Sequence, residues 1–252
     1  GMVDEIFRIG GAHSIAALAW GTESITPVDK IVGPGNIYVT TAKKKLFGYV
    51  GIDMLAGPSE ILIVADNKNN SDWIAADLLS QAEHDINSRS TLITNDSLFA
   101  KKVLKSIDSI LKILPRSKIA SSSWKKNGNI IIVKNFSNVH KIINQLSPEH
   151  LELAIDKPDN FFEKIKNAGS VFLGRYTPEA IGDYVAGPNH VLPTGSTARF
   201  SSGLDVMDFL KKTTFTKCNK KSLKLVSNQA IKLAEAEGLY GHALSIYMRN
   251  KI

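Results

Sequence analysis

Six histidines stand in the chain, and five of them sit beside turns or other polar groups. His140, flanked by Val139, Ile142 and Ile143, reads as an ordinary helical histidine. Gln81 and His84 close a helical stretch at i, i+3, which sets them on one helical face about 5–6 Å apart at Cβ. A neutral imidazole is a common zinc ligand and an amide oxygen a weaker one; an exposed helix end gives the same pair. In Ser147-Pro148-Glu149-His150, a carboxylate and an imidazole lie next to each other where a turn enters a strand. Together they can divide general acid/base work. Because neighbours in a strand point to opposite faces, both reach one site only if that turn is irregular; a polar turn before a buried strand is the plainer reading. Asp183 and His190 flank Ala186-Gly187-Pro188-Asn189, and a carboxylate and an imidazole are metal-compatible. Glu237 and His242 project from Glu237-Gly238-Leu239-Tyr240-Gly241-His242, a corner between two helices that a simple glycine cap also explains.

Two glycine motifs are ambiguous alone. Gly33-Pro34-Gly35-Asn36, between a strand and a helix, resembles an anion-cradling turn because a helix amino end offers free N–H groups. It lacks the GxGxxG pattern. Gly57-Pro58-Ser59-Glu60 can expose the Ser59 hydroxyl, yet no GxSxG elbow is present, which argues against a serine hydrolase.

The elements that must position these groups alternate between strand-like and helix-like, the pattern of α/β layers. Strands are expected near 30–32, 52–54, 60–65, 90–94, 130–133, 150–154 and 171–173. Helices are expected over 14–20, 37–47, 72–83 with Ser71 as N-cap, 97–114, 138–146 and 161–167. Residues 115–128 read as a polar, turn-rich segment, and 174–202 as one long loop of the kind that is usually functional or mobile. After a boundary near 201–203, a strand over 213–217 and helices over 222–236 and 240–249 are expected.

Composition bounds the class. With 43% hydrophobic and 22% charged residues over 252 positions, the chain is neither disordered, collagen-like nor a coiled coil. No apolar run approaches the ~20 residues that cross a bilayer, and the first residues lack a signal-peptide pattern. Gly1 ahead of Met2 reads as a remnant of tag removal. One cysteine, Cys218, permits no intrachain disulfide. A soluble, cytoplasmic protein is expected. The net charge of +7 comes mostly from lysines spread along helices, without the arginine-rich or aromatic-interleaved motifs that read nucleic acid. Neither nucleic acid nor a membrane is an expected partner, and a dinucleotide remains compatible with the charge.

Taken in order, the motifs closely resemble the histidinol dehydrogenase family. The runs that carry the likeness are Gly10-Gly11-Ala12-His13, Gly21-Thr22-Glu23-Ser24, the stretch 29–36 ending in Gly33-Pro34-Gly35-Asn36, Ala56-Gly57-Pro58-Ser59-Glu60, the stretch 77–84 ending in Gln81-Ala82-Glu83-His84, Ser147-Pro148-Glu149-His150-Leu151-Glu152, the stretch 182–194 around Gly187-Pro188-Asn189-His190, and Glu237 to His242. The resemblance implies incomplete Rossmann-like layered α/β domains with a C-terminal helical appendage. It divides the chain into a partial nucleotide-binding-like domain (1–58), the second half of the larger catalytic domain (59–203) and a mostly helical dimerisation appendage (204–252). It implies one Zn²⁺ per site held by Gln81, His84, Asp183 and His242, and an acid/base pair of Glu149 and His150. Substrate contacts fall on Ser59, Gln81, His84, His150, Asp183, His190, Glu237 and His242, and NAD⁺ contacts on His13, where many relatives carry Gln, and Asn36. The activity implied is the four-electron oxidation of L-histidinol to L-histidine through the aldehyde with two NAD⁺. It would take place in a cytoplasmic homodimer to which each copy lends Glu237 and His242 across the interface. Family members extend further at the N-terminal side, so the alternative is a truncated, zinc-binding and dimerising remnant without activity of its own. Strands that pair with that further segment would carry exposed edges.

Overall fold

The computed structural model describes residues 3–250, so Gly1, Met2 and the reading placed on them lie outside the described residues. Five strands form a parallel sheet: β3 (Glu60–Ala65), β4 (Arg89–Thr94), β5 (Gly128–Ile132), β6 (His150–Ala154) and β7 (Ser170–Leu173), in the order β5-β4-β3-β6-β7. Every residue of β3 and β6 is buried, as a strand with both faces covered requires. Ile61, Ile63 and Leu92 face one layer made by α3 (Ser71–Ala82), α4 (Ser97–Ile110) and α5 (Ser117–Asn127). Leu62, Val64, Leu151 and Leu153 face the other, which includes Val139 and Ile143 of α6 (Val139–Leu146) and Phe161 of α7 (Pro158–Phe162). Alternation along each strand thus sorts one apolar run into two cores.

Ahead of this sheet, β1 (Lys30–Ile31) and β2 (Gly51–Ile52) pair in parallel beside α1 (Ala12–Trp20) and α2 (Ile37–Leu46). Ile15, Ala19, Ile31, Leu46 and Val50 are their common core. The chain divides into two compact units, one up to Phe209 and one from Leu210. Both sheets belong to the first, so the expected division at 58 separates two sheets rather than two compact units. The expected boundary near 201–203 gives way to a later one because Lys30 pairs with Asp208 (Nζ–Oδ1 3.4 Å) and lies over the Phe209 ring, tying the 3₁₀ turn Val206–Phe209 to β1. The second unit is a hairpin of α9 (Lys220–Ala236) and α10 (Tyr240–Asn250), opened by an Asn219–Ser222 capping box. Among the described residues, no helix is long and apolar enough to cross a membrane.

Several expected boundaries shift. Asn70, not Ser71, caps α3, its side chain accepting the Asp72 N–H. The segment read as turn-rich, 115–128, contains α5: Ala120 and Ser123 are fully buried on one face, and the Ser123 hydroxyl donates to the Ser88 carbonyl at 3.0 Å. Helix α4 ends earlier than expected, and α7 is shorter and begins earlier than the helix expected over 161–167. The strand expected over 213–217 is absent. Among the described residues the second unit has no strand to pair with it, and Phe215 is 92% exposed. The long loop 174–202 is broken by α8 (Glu179–Tyr184), which matters for the site.

Candidate active site

The parallel register sets Ile61 against His150, so Glu60 opens β3 beside Glu149 and His150 at the amino end of β6. The turn into β6 has the irregular geometry that lets both side chains face one site: Ser147 adopts a left-handed conformation (φ 49°, ψ 60°). Glu149 Oε2 accepts the Glu60 N–H at 2.8 Å. His150 Nδ1 lies 3.0 Å from the Glu60 carbonyl oxygen and can only donate there, which leaves Nε2 as the ring acceptor.

A cavity of about 180 Å³ opens at this point. Ser59, Gln81 and His84 line it from the β3 end and the α3 end, together with Glu149 and His150 at the start of β6. Asp183 of α8 and His190 in the following loop complete the wall. Gln81 lies on α3, and His84 follows two residues beyond its end. Helix α3 stops at Ala82, and His84 sits in the closing turn with its N–H on the Gln81 carbonyl at 3.1 Å. Both still reach the cavity.

Sequence reasoning missed Glu179. It stands one turn before Asp183 on α8, and its Oε1 is 3.6 Å from His150 Nε2, with Asp183 Oδ1 at 3.9 Å. His150, Glu179 and Asp183 can offer ligand atoms all within 4.8 Å of one another. This metal-capable group shares only Asp183 with the expected ligand set. The i, i+4 spacing of Glu179 and Asp183 was visible in the sequence, but it carries meaning only once a helix is placed inside the loop.

The electrostatics are one-sided. Burial pushes the carboxyls of Glu149 and Glu179 up to about 8, Glu179 with help from Asp183. Burial also raises Glu60 and depresses His150, which favours a neutral imidazole. Gln81 Oε1, His150 Nε2 and Glu179 Oε1 are buried without a hydrogen-bond partner. Three buried acceptor atoms amid raised carboxyls are what a bound cation would satisfy.

Within the first unit, two expected residues, His13 and Asn36, are not among those that line this cavity. Asn36 is the N-cap of α2, its Oδ1 accepting the Tyr38 and Val39 N–H groups at 3.1 Å. The turn expected to offer free N–H groups to an anion therefore has two of them filled by its own side chain. Beneath it, buried Lys43 and Asp53 pair, Asp53 Oδ2 accepts the Gly33 N–H at 2.7 Å, and Lys43 donates to the Gly33 carbonyl at 3.0 Å. His13 is exposed on α1. Glu237 and His242 belong to the second unit, exposed at the corner between α9 and α10.

A cavity that gathers acid, imidazole and amide groups from four sequence-distant motifs narrows the range of relatives. The sequence profile described as histidinol dehydrogenase matches residues 2–250. Histidinol dehydrogenase 1 of Trichormus variabilis is 58% identical over 247 residues, covering 98% of this chain and 57% of its own. Histidinol dehydrogenase of Rhodospirillum rubrum is 57% identical over 248 residues, at 98% and 57% coverage. The crystal structure of histidinol dehydrogenase from Elizabethkingia anophelis superposes with a TM-score of 0.88 at 43% identity, covering 96% of this chain and 56% of that one. The chain thus spans little more than half the length of the relatives it matches. Motifs, parallel-sheet fold and superposition agree, and the chain belongs to the histidinol dehydrogenase family.

Proposed function

We propose that this chain carries the zinc-binding and acid/base part of a histidinol dehydrogenase, which oxidises L-histidinol to L-histidine through the aldehyde with two NAD⁺ in sequence. The observation that carries the reading is convergence: Ser59, Gln81, His84, Glu149, His150, Asp183 and His190 all line one cavity. The donor set fits a zinc ion. Gln81 Oε1 is buried and unpartnered, His84 and Asp183 supply a nitrogen and an oxygen beside it, and the carboxyls of Glu149 and Glu179 have no Lys or Arg partner among the described residues. In this reading Gln81, His84 and Asp183 hold the metal together with His242 of the partner subunit in a cytoplasmic homodimer. A zinc ion held there would supply the Lewis acid that draws in and orients the substrate.

The chain's own residues supply the rest. Ser59, His190 and the partner subunit's Glu237 hold the substrate. His150, neutral and with Nε2 open, accepts the alcohol proton as the carbon gives up hydride. Glu149 then takes a proton from the water that adds to the aldehyde, a role for its ionised form, which a nearby positive charge favours. His13 and Asn36 contact the dinucleotide. Asn36 Nδ2 donates to nothing among the described residues, so it can serve a ribose or phosphate while Oδ1 stays on the helix. In this reading residues 1–58 belong to a partial nucleotide-binding-like domain.

The test is turnover of L-histidinol with NAD⁺ and zinc, by the 252-residue chain alone and with the N-terminal segment of a relative supplied separately. Reduction of two NAD⁺ per histidinol in the supplemented mixture is the expected result. Zinc uptake without turnover in either mixture supports the alternative, a dimerising remnant; no uptake and no turnover overturns both.

A further inference from the structure

Glu152 is a carboxyl in a place built for an apolar side chain. It lies mid-strand in β6, 3% exposed, opposite Ile63 on one side and Phe172 on the other. A polar group so placed is costly unless it is bonded. Its Oε1 accepts the N–H of Glu179 at 2.7 Å, from 27 residues away in sequence. That N–H is the first of α8, and α8 has no side-chain cap of its own, because its N-cap is Pro178. Two residues earlier on the same face of β6 stands His150. Helix α8 in turn carries Glu179 and Asp183 to within 3.6 and 3.9 Å of His150 Nε2. From the side, α8 is pressed onto β7: a Cβ added at Gly182 would stand 2.4 Å from the Phe172 ring.

We propose that Glu152 is a positioning residue, a cap reaching up from the sheet that fixes the height of α8 and so places Asp183 for the metal and Glu179 over His150. This rests on the zinc site proposed above. Helix α8, six residues long, is too short to hold its own place by helical cooperativity. The sheet fixes it at two points, the Glu152 bond at its start and the Phe172 contact at Gly182. Burial, and after it neighbouring Asp77, push the Glu152 carboxyl well above its ordinary range; its protonated form offers one acceptor oxygen and one O–H. Glutamine offers the same pair of functions in the same shape, so it should replace Glu152 where leucine cannot. Aspartate keeps the carboxyl but falls short by one methylene.

The experiment compares the 252-residue chain with Glu152→Gln, Glu152→Leu and Glu152→Asp. Hydrogen exchange of the Glu179 amide is followed by NMR, zinc affinity by competition with a chromogenic chelator, and folding by thermal melting. Groups that orient metal ligands are typically worth about 10–100-fold in affinity. The Glu179 amide should be protected in the native chain and in Glu152→Gln, whose zinc affinity should stay within about twofold. Glu152→Leu and Glu152→Asp should lose both the protection and roughly tenfold or more in affinity. A folded Glu152→Leu chain with native zinc affinity overturns the inference, as does a Glu152→Gln chain as weak as Glu152→Leu. If Glu152→Leu does not fold, Glu152→Asp decides by the same criteria. If the native chain takes up no zinc, the metal site itself is wrong, and the Glu179 amide alone decides the cap: rapid exchange in the native chain overturns it.

Discussion

The ring nitrogen Nδ1 of His150 donates to the carbonyl oxygen of Glu60 at 3.0 Å, across the β3–β6 register. That bond selects the tautomer: the proton sits on Nδ1, and the Nε2 lone pair faces Glu179 and Asp183. Nitrogen NMR of the metal-free chain should therefore show His150 Nε2 unprotonated at neutral pH. If His150 accepts a proton and does not bind zinc, as proposed, alanine should replace it with metal content unchanged. Turnover in any active assembly should fall by about 10²–10⁴-fold. Loss of zinc in step with activity would make His150 a ligand instead.

The buried carboxyls give the metal-free chain a pH dependence of a definite sign. Glu149 rises to about 8 from its ordinary 4.5 because it is buried. Between those values the folded chain holds a proton that the unfolded chain has released, so stability falls as pH rises through this window and is fully retained below it. Glu179 acts in the same direction. Even one kcal/mol of this linkage is worth roughly 2–4 °C in a chain of this size. Without metal, the melting temperature should be higher at pH 6 than at pH 8.5; Glu149→Gln should flatten the slope, and added zinc should do so too. A melting temperature that climbs over that range would show that these carboxyls are ionised in the folded chain.

In the first sheet, the Lys43 and Asp53 side chains are 3% and 1% exposed and pair with each other around Gly33. Removing one member leaves the other charge buried, which typically costs ~3–5 kcal/mol. Lys43→Met should destabilise by about that amount in urea titration. Adding Asp53→Leu to it should cost less than the sum of the two single changes, because no charge is then stranded. Strict additivity would show that the two side chains act independently.

Much of this arrangement was legible before any coordinates, and the parts that were not share a cause. The run Ile61-Leu62-Ile63-Val64 announces a strand covered on both faces, and β3 spans the expected residues. Ser59, Gln81, Glu149 and His150 were placed by motif and line one cavity. Helix α5 was hidden because its apolar stripe is only Ala120 and half-buried Trp124, with Ser123 satisfied by a carbonyl 35 residues away. Glu179 was hidden because its helix is held by a long-range bond from Glu152 rather than by local propensity. Conversely, Thr213-Thr214-Phe215 has strand-forming residues but no partner edge within its unit, and propensity alone makes no strand. Sequence reports what is local; contacts between distant segments decided the rest.

If zinc binds as proposed, subunit mixing identifies the residue that completes its ligand set. Zinc sites take three or four protein ligands. Gln81, His84 and Asp183 stand at the cavity, whereas His242 is exposed on α10 in the second unit. If His242 serves a second copy, a His242→Ala chain and an Asp183→Ala chain should each bind zinc weakly alone. In a heterodimer of the two, however, one site has Asp183 from the first chain and His242 from the second, and is whole. Random pairing of equal amounts should then restore roughly a quarter of all sites, since half of the dimers are mixed and each has one intact site of two. A same-chain arrangement restores none, because every site would keep one defect. Zinc titration of the mixture against each variant alone separates the two outcomes, and a monomeric native chain that binds zinc at full affinity would also exclude the shared site.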